Sequence, residues 1–146
     1  MKIKSIFGDG ERIPSKYTCD GMDVNPSLEL IDVPKNAKSL VLIVDDPDSP
    51  AKIWTHWILW NISPITKNIK ENSVPLGARE GMNDFGNADY GGPCPHSGTH
   101  RYQFKLFALD IKMDLSGNSG KDEVERTMKG HILDKSILVG TYSKIN

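Results

Sequence analysis

The side chains best suited to chemistry fall in three short clusters: Asp46 and Asp48 within Asp-Pro-Asp-Ser-Pro, His56 alone, and His100 with Tyr102. A stretch rich in glycine and proline, Asn83 to Gly98, runs into the last of them. Glycine permits close backbone approach and positive φ, while proline fixes φ and removes a donor, so this loop reads as irregular but stiff. Such loops can present backbone N–H groups to an anion, and the neighbouring His and Tyr add side-chain donors. The combination points to one small polar pocket. Taken alone, Asp46 and Asp48 read as Asx-turn formers, His56 as a hydrogen-bonded core histidine and Tyr102 as an ordinary strand aromatic. Their joint occurrence beside the loop is what favours a pocket.

Other chemistries fit less well. A metal site would have to be drawn from Asp46, His56 and His100, and no two of these have close ligand spacing, so no metal is expected. Cys94 lies between two prolines and does not begin a helix, so nothing lowers its thiol pKa. Ser97 lacks the strand–turn–helix setting of a nucleophile elbow. Gly86 to Gly92 is not followed by Gly-Lys-Ser/Thr and is no P-loop. A non-catalytic chain without cofactors is expected.

These groups must be positioned by strands. Ser39 to Asp45 is continuously apolar and β-branched, as in a strand covered on both faces, and the prolines from Pro47 stop it. Trp54 to Ile62 is a second strand, on which a period of two places His56, Ile58, Trp60 and Ile62 on one face and Trp57, Leu59 and Asn61 on the other. His100 to Asp110 alternates clearly, with His100, Tyr102, Phe104, Leu106 and Ala108 facing one way. Ser136 to Tyr142 is a short closing strand. The first residues, Ile13–Pro14 and Leu28 to Ile31 read as strands broken by Gly, Pro and Asn. The spacing predicts one helix, capped by Ser119 and carrying Val124, Met128 and Ile132 as an apolar stripe. Residues 67 to 79 read as a polar surface loop. Strand dominance with distant partners predicts a mainly β fold: an antiparallel sheet or sandwich with Greek-key connections.

The 146 residues suit one domain, 1–146, with a real core, and a net charge of −1 gives no reason to expect nucleic acid or an anionic membrane. No apolar run is long enough to span a bilayer and no secretory h-region follows Met1, so a cytoplasmic chain is expected. Cys19 and Cys94 are the only cysteines. One pair is not a disulfide framework, and both are expected to be reduced.

At its chemical motifs the chain resembles the phosphatidylethanolamine-binding protein family, also called the Raf kinase inhibitor protein family, in its short bacterial and archaeal branch. The resemblance rests on Ile13 to Gly21, Asn25-Pro26-Ser27-Leu28, Asp46 to Pro50, His56 to Ile62, and Gly92-Pro93-Cys94-Pro95 leading to Gly98-Thr99-His100-Arg101-Tyr102. It implies a large central antiparallel sheet, a second smaller sheet, few helices, and a pocket for phosphate-like anions. Carried over, the pocket residues are Asp46, His56, His100 and Tyr102, lined by Pro50, Trp54 and Gly92, with a candidate cis bond before Pro50. His96 stands where relatives carry proline and Ser49 where they carry alanine. The C-terminal helix of longer eukaryotic members is expected to be absent.

The expected function is binding of a small anion, such as phosphate or a phosphorylated small molecule, with a regulatory role. Asp46 is expected to accept from one histidine, leaving neutral imidazole, Tyr102 and loop N–H groups to donate to the anion. Two alternatives are an inhibitor of serine proteases or kinases, with residues 67 to 79 as its loop, and a weak hydrolase using His100 and Asp46 as acid and base. Monomer and homodimer both remain open.

Overall fold

The computed structural model describes residues 1–145. Strands β1 (Lys2–Ser5), β2 (Leu28–Ile31) and β5 (Asn68–Ile69) form a small sheet in the order β1-β2-β5. Strands β3 (Ser39–Asp46), β4 (Trp54–Ile62), β6 (Arg79–Glu80), β7 (Thr99–Leu109) and β8 (Ile132–Ser143) form the larger one, ordered β6-β4-β3-β7-β8. Every pairing is antiparallel. Strands β3, β4 and β6 lie side by side, and β7 returns to the far side of β3, which makes a Greek key. This is the mainly β architecture that the strand pattern predicts.

The centre of the large sheet is β3, and all eight of its residues are buried, as its continuous apolar run requires. On one face Leu40, Leu42 and Val44 pack with Trp57, Leu59, Phe104 and Leu106 against Leu28, Leu30 and Ile69 of the small sheet. On the other, Val41, Ile43, Ile58 and Trp60 are covered by Val124 and Met128 of the helix α1 (Lys121–Met128).

Two irregularities in β4 overturn the simple alternation expected there. Val44 pairs with Trp57 and Asp45 with Thr55, so His56 is an extra residue without a partner on β3. Such a bulge re-aims a side chain. The His56 ring meets Tyr102, on the Trp57 face, edge-on at 5.3 Å, instead of joining Ile58 and Trp60. Further along, Leu42 pairs with Leu59 and Leu40 with Ile62, which again leaves one residue over. Asn61 absorbs it at φ 54°, and Ile62 moves to the face of Trp57.

Asn61 also anchors the segment after β7. Its amide donates to Met113 O at 2.7 Å and accepts from Met113 N–H at 2.8 Å. Replacing it with alanine removes both bonds and puts a Cβ with no local polar partner in the left-handed region. The expected cost is about 2–3 kcal/mol, read as a lowered urea midpoint at unchanged slope. Asn61→Gly should recover only the backbone part.

Other expectations are corrected. The helix ends at Met128 because Gly130 takes φ 83°, so Ile132 begins β8 and is exposed, not part of the helical stripe. The helix cap is Gly120, while Ser119 Oγ donates to Glu123. Strand β8 begins four residues before Ser136, because Lys135, Asp134 and Ile132 pair with Phe107, Ala108 and Leu109 of β7. Residues 67–79 are not a plain surface loop, since they contain β5 with the buried Ile69. Asn25 ties the rest down, donating to Lys70 O and accepting from Ser73 N–H. Ile13–Pro14 forms no strand; Arg12 makes one isolated bridge to Thr141.

The bond before Pro50 is trans. The turn is held instead by Asp46 Oδ1, which accepts from Asp48 N–H at 2.8 Å. Cys19 and Cys94 form a disulfide with Cα atoms 5.4 Å apart, correcting the reduced pair. Their 75-residue separation hid the pairing, which the fold creates by bringing the turn after Ser15–Tyr17 against the loop before β7.

Candidate functional site

Antiparallel order brings the end of β3 and the beginnings of β4 and β7 to one edge of the large sheet. Asp46 pairs with Trp54 across β3 and β4, and Asp45 with Gln103 across β3 and β7. Asp46, His56, His100 and Tyr102 thereby converge on a cavity of about 160 Å³. Pro50 and Trp54 line it, as the resemblance implies, together with Ser49, Phe85, Cys94 and His96.

His100 Nδ1 lies 2.7 Å from Asp46 Oδ2. With Oδ1 engaged by Asp48 N–H, both oxygens of this buried carboxylate serve as acceptors. His56 Nδ1 lies 2.6 Å from Gly91 O, and a carbonyl can only accept, so this nitrogen carries the proton. Burial holds the His56 pKa below the ordinary histidine value, against the opposing pull of Gly91 O and Asp46. The ring is neutral at pH 7. Tyr102 Oη is buried without a hydrogen-bond partner. Burial, reinforced by the Asp46 charge, pushes its pKa well above the usual tyrosine value; the nearby Cys94 amide tempers the shift without completing a hydrogen bond. Tyr102 is therefore a neutral phenol with an unused O–H.

Outside the cavity, Asp48 clamps the turn to β7. It takes Arg101 N–H, Nε and Nη2 at 2.8, 3.0 and 2.8 Å, and the guanidinium holds the Asp48 pKa down to about 2. Asp48 thus supports Asp46 from behind without entering the pocket.

Gly91 and Gly92 do not act as anion donors. Gly92 N–H donates to Asp23 Oδ1 at 2.7 Å and Gly91 N–H to His56 O at 3.0 Å. A Cβ on Gly92 would collide with Tyr17 O and Asp23, so this residue permits close packing behind the pocket and does not line it. The expectation of donating neutral imidazoles also changes. Both Nδ1 atoms face acceptors, so each neutral ring offers Nε2 as a lone pair, and donating from Nε2 requires protonation.

Phe85, Cys94 and His96 escaped the sequence reading as lining residues. Phe85 packs edge-on against His56 at 5.2 Å and Trp54 at 5.7 Å. Asn83 holds it there by accepting from Phe85 N–H and Asn87 N–H, both at 3.0 Å. The Asn-Asp-Phe-Gly order was the available signal, since Asn at that place makes an Asx turn. Cys94 reaches the pocket through its disulfide, which no local pattern announces.

A larger cleft of about 330 Å³ opens where α1 begins, but its cations are engaged. Lys52 pairs with Asp84 at 3.0 Å, and Lys121 with the buried Asp45 at 3.4 Å. Residues 67–79 do not contribute to the 160 Å³ cavity. Among the described residues, no helix is long and apolar enough to cross a membrane.

The family model described as phosphatidylethanolamine-binding protein matches residues 3–143. A UPF0098 protein of Methanothermobacter thermautotrophicus is 48% identical over 150 residues, covering 99% of each chain. A UPF0098 protein of Pyrococcus horikoshii is 44% identical, covering 99% of this chain and 77% of its own. Among solved structures, a phosphatidylethanolamine-binding protein homologue from Chlamydia trachomatis superposes with a TM-score of 0.95 at 40% identity, covering 99% of this chain and 97% of its own. Escherichia coli YbcL, described as a member of the mammalian family, gives 0.91 at 29% identity, covering 99% and 98%.

Proposed function

The chain belongs to the phosphatidylethanolamine-binding protein family, and from that premise we propose that it binds a small phosphate-type oxyanion between Asp46, His56, His100 and Tyr102, without turning it over, in a regulatory role. The observation that carries this reading is the buried, unpartnered Tyr102 hydroxyl beside the His100–Asp46 pair. An orphaned buried O–H is costly unless something completes it, and an oxyanion would. His100 is the ring placed to take a proton as the anion enters, because Asp46 backs its Nδ1 and the imidazolium would sit between two negative groups. His56 stays neutral. Asp46 never meets the anion directly, which removes the repulsion a free carboxylate would bring.

A cavity of about 160 Å³ suits an ion of phosphate size. Hydrogen bonds to charged groups contribute about 1.5–3 kcal/mol each, so two or three hold such an ion at micromolar to millimolar strength. Absence of turnover is supported by the lack of an activated nucleophile: Ser49 shares the cavity but makes no hydrogen bond to His100 among the described residues, and Cys94 is consumed in the disulfide.

Calorimetric titration with inorganic phosphate at pH 6.0 and 7.5 tests the reading. Taking up a proton with the anion means that affinity rises as pH falls, by at most about tenfold per unit. Histidine resonances of His56 and His100 should move with the same saturation curve. Neither heat nor resonance shifts at either pH would remove the proposal.

A further inference from the structure

We propose that the pocket, if it takes anions as argued above, selects those that still carry a proton, favouring hydrogen phosphate over sulfate and over fully ionised phosphomonoesters. The discriminating group is His56. Its Nδ1 proton is committed to Gly91 O, and its Nε2 makes no hydrogen bond to protein among the described residues. That nitrogen is a lone-pair acceptor on a residue that lines the cavity and is only 3% exposed. A bound anion must bring a hydrogen to it, or leave a buried acceptor facing anionic oxygen.

The other polar groups around the ring cannot supply that hydrogen without abandoning the anion. Asp46, from β3, is an acceptor held by His100 and Asp48. Tyr102 has one O–H, and His100, from the same strand, has one further site for a proton. Both are needed for anionic oxygens. Asp45 lies on the opposite face of the sheet, 2.6 Å from Lys105 Nζ. His96 stands at the exposed mouth of the cavity. Burial opposes protonating His56 itself.

Hydrogen phosphate answers this arrangement completely. Its P–OH donates to His56 Nε2, and its remaining oxygens accept from Tyr102 and from protonated His100. Sulfate matches it in size and charge but has no hydrogen at neutral pH. A phosphomonoester dianion also lacks one and regains it only near its second pKa of about 6. Sites that hydrogen-bond one specific donor reject analogues lacking it by large factors, because a buried partner is left unpaired.

The test is competitive calorimetry of phosphate and sulfate at pH 7.5, with O-phosphoethanolamine titrated at pH 5.5 and 7.5. Phosphate should bind at least about a hundredfold tighter than sulfate. O-phosphoethanolamine should gain more than inorganic phosphate does on going to pH 5.5. Sulfate binding within threefold of phosphate overturns the selectivity while leaving an anion site standing. If none of the three ions binds at either pH, the selectivity and the anion reading fall together.

Discussion

Replacing His100 by asparagine should weaken phosphate binding about a hundredfold at pH 6 while moving the thermal midpoint by only a few degrees. Asparagine places an amide N–H where Nδ1 stands, so Asp46 keeps the donor that now lies 2.7 Å away. What disappears is Nε2 and its capacity to carry a positive charge. The loss combines one charge-assisted hydrogen bond, about 1.5–3 kcal/mol, with exposure of the anion to an Asp46 carboxylate no longer screened by an imidazolium. Because 1.4 kcal/mol is tenfold, these together reach about two orders of magnitude. His100→Ala should lose the same affinity and also about 1–3 kcal/mol of stability, since it strands a carboxylate oxygen of buried Asp46. Calorimetry and thermal melts on both variants separate the roles. Unchanged phosphate affinity in the asparagine variant would show that His100 only props up Asp46.

Removing the Cys19–Cys94 bridge should cost the fold about 2–4 kcal/mol and loosen one wall of the pocket. The bond spans 75 residues, more than half of the chain, and closing so long a loop in the unfolded state is worth about 4 kcal/mol in the chain-entropy description. Measured values usually fall below that ceiling. The local consequence is more specific. Cys94 lines the cavity and its amide lies beside Tyr102, while Cys19 N–H holds Pro93 O at 3.1 Å. Without the sulfur link the segment is fixed only by hydrogen bonds: this one, Gly92 N–H to Asp23 and Gly91 N–H to His56 O. The double variant Cys19→Ser, Cys94→Ser should therefore show a lower denaturation midpoint and weaker phosphate binding, and a thiol reductant should reproduce both in the native chain. Equal midpoints with and without reductant would contradict the structural role of the bridge.

Much of this arrangement was legible because its signals are local. Strand β3 announced itself through an apolar, β-branched run, and β4 began and ended where Trp54 and the turn before Pro64 said it should. On β7 the alternation held from His100 to Ala108, because nothing interrupts its pairing with β3 or, up to Ala108, with β8. That regularity is why His100 and Tyr102 were placed correctly on one face. His56 lines the cavity but was assigned the wrong face, since the bulge that turns it is a property of two strands in register. The helix was overextended past Gly130, whose positive φ competes with the apolar spacing that continues to Ile132. Leu138 and Tyr142 marked β8, but its ends, Ile132 and Ser143, have exposed or mixed surroundings that leave no periodic trace.

Residue type and spacing determined by themselves that this chain would be strand-rich and that Asp46, Asp48, His56, His100 and Tyr102 were its candidates for chemistry; the family resemblance narrowed them to Asp46, His56, His100 and Tyr102. The conclusions from type and spacing need only the pleat of a strand and the conformational habits of glycine and proline, which act over a few residues. Tertiary structure alone decided which partner each polar atom would meet: Asp46 for His100, Gly91 O for His56, Asp23 for Gly92, and nothing for Tyr102. It also joined Cys19 to Cys94. Hydrogen bonds and disulfides are satisfied within a few ångströms, and which distant backbone atom arrives there depends on register, bulges and chain crossings that no local pattern encodes.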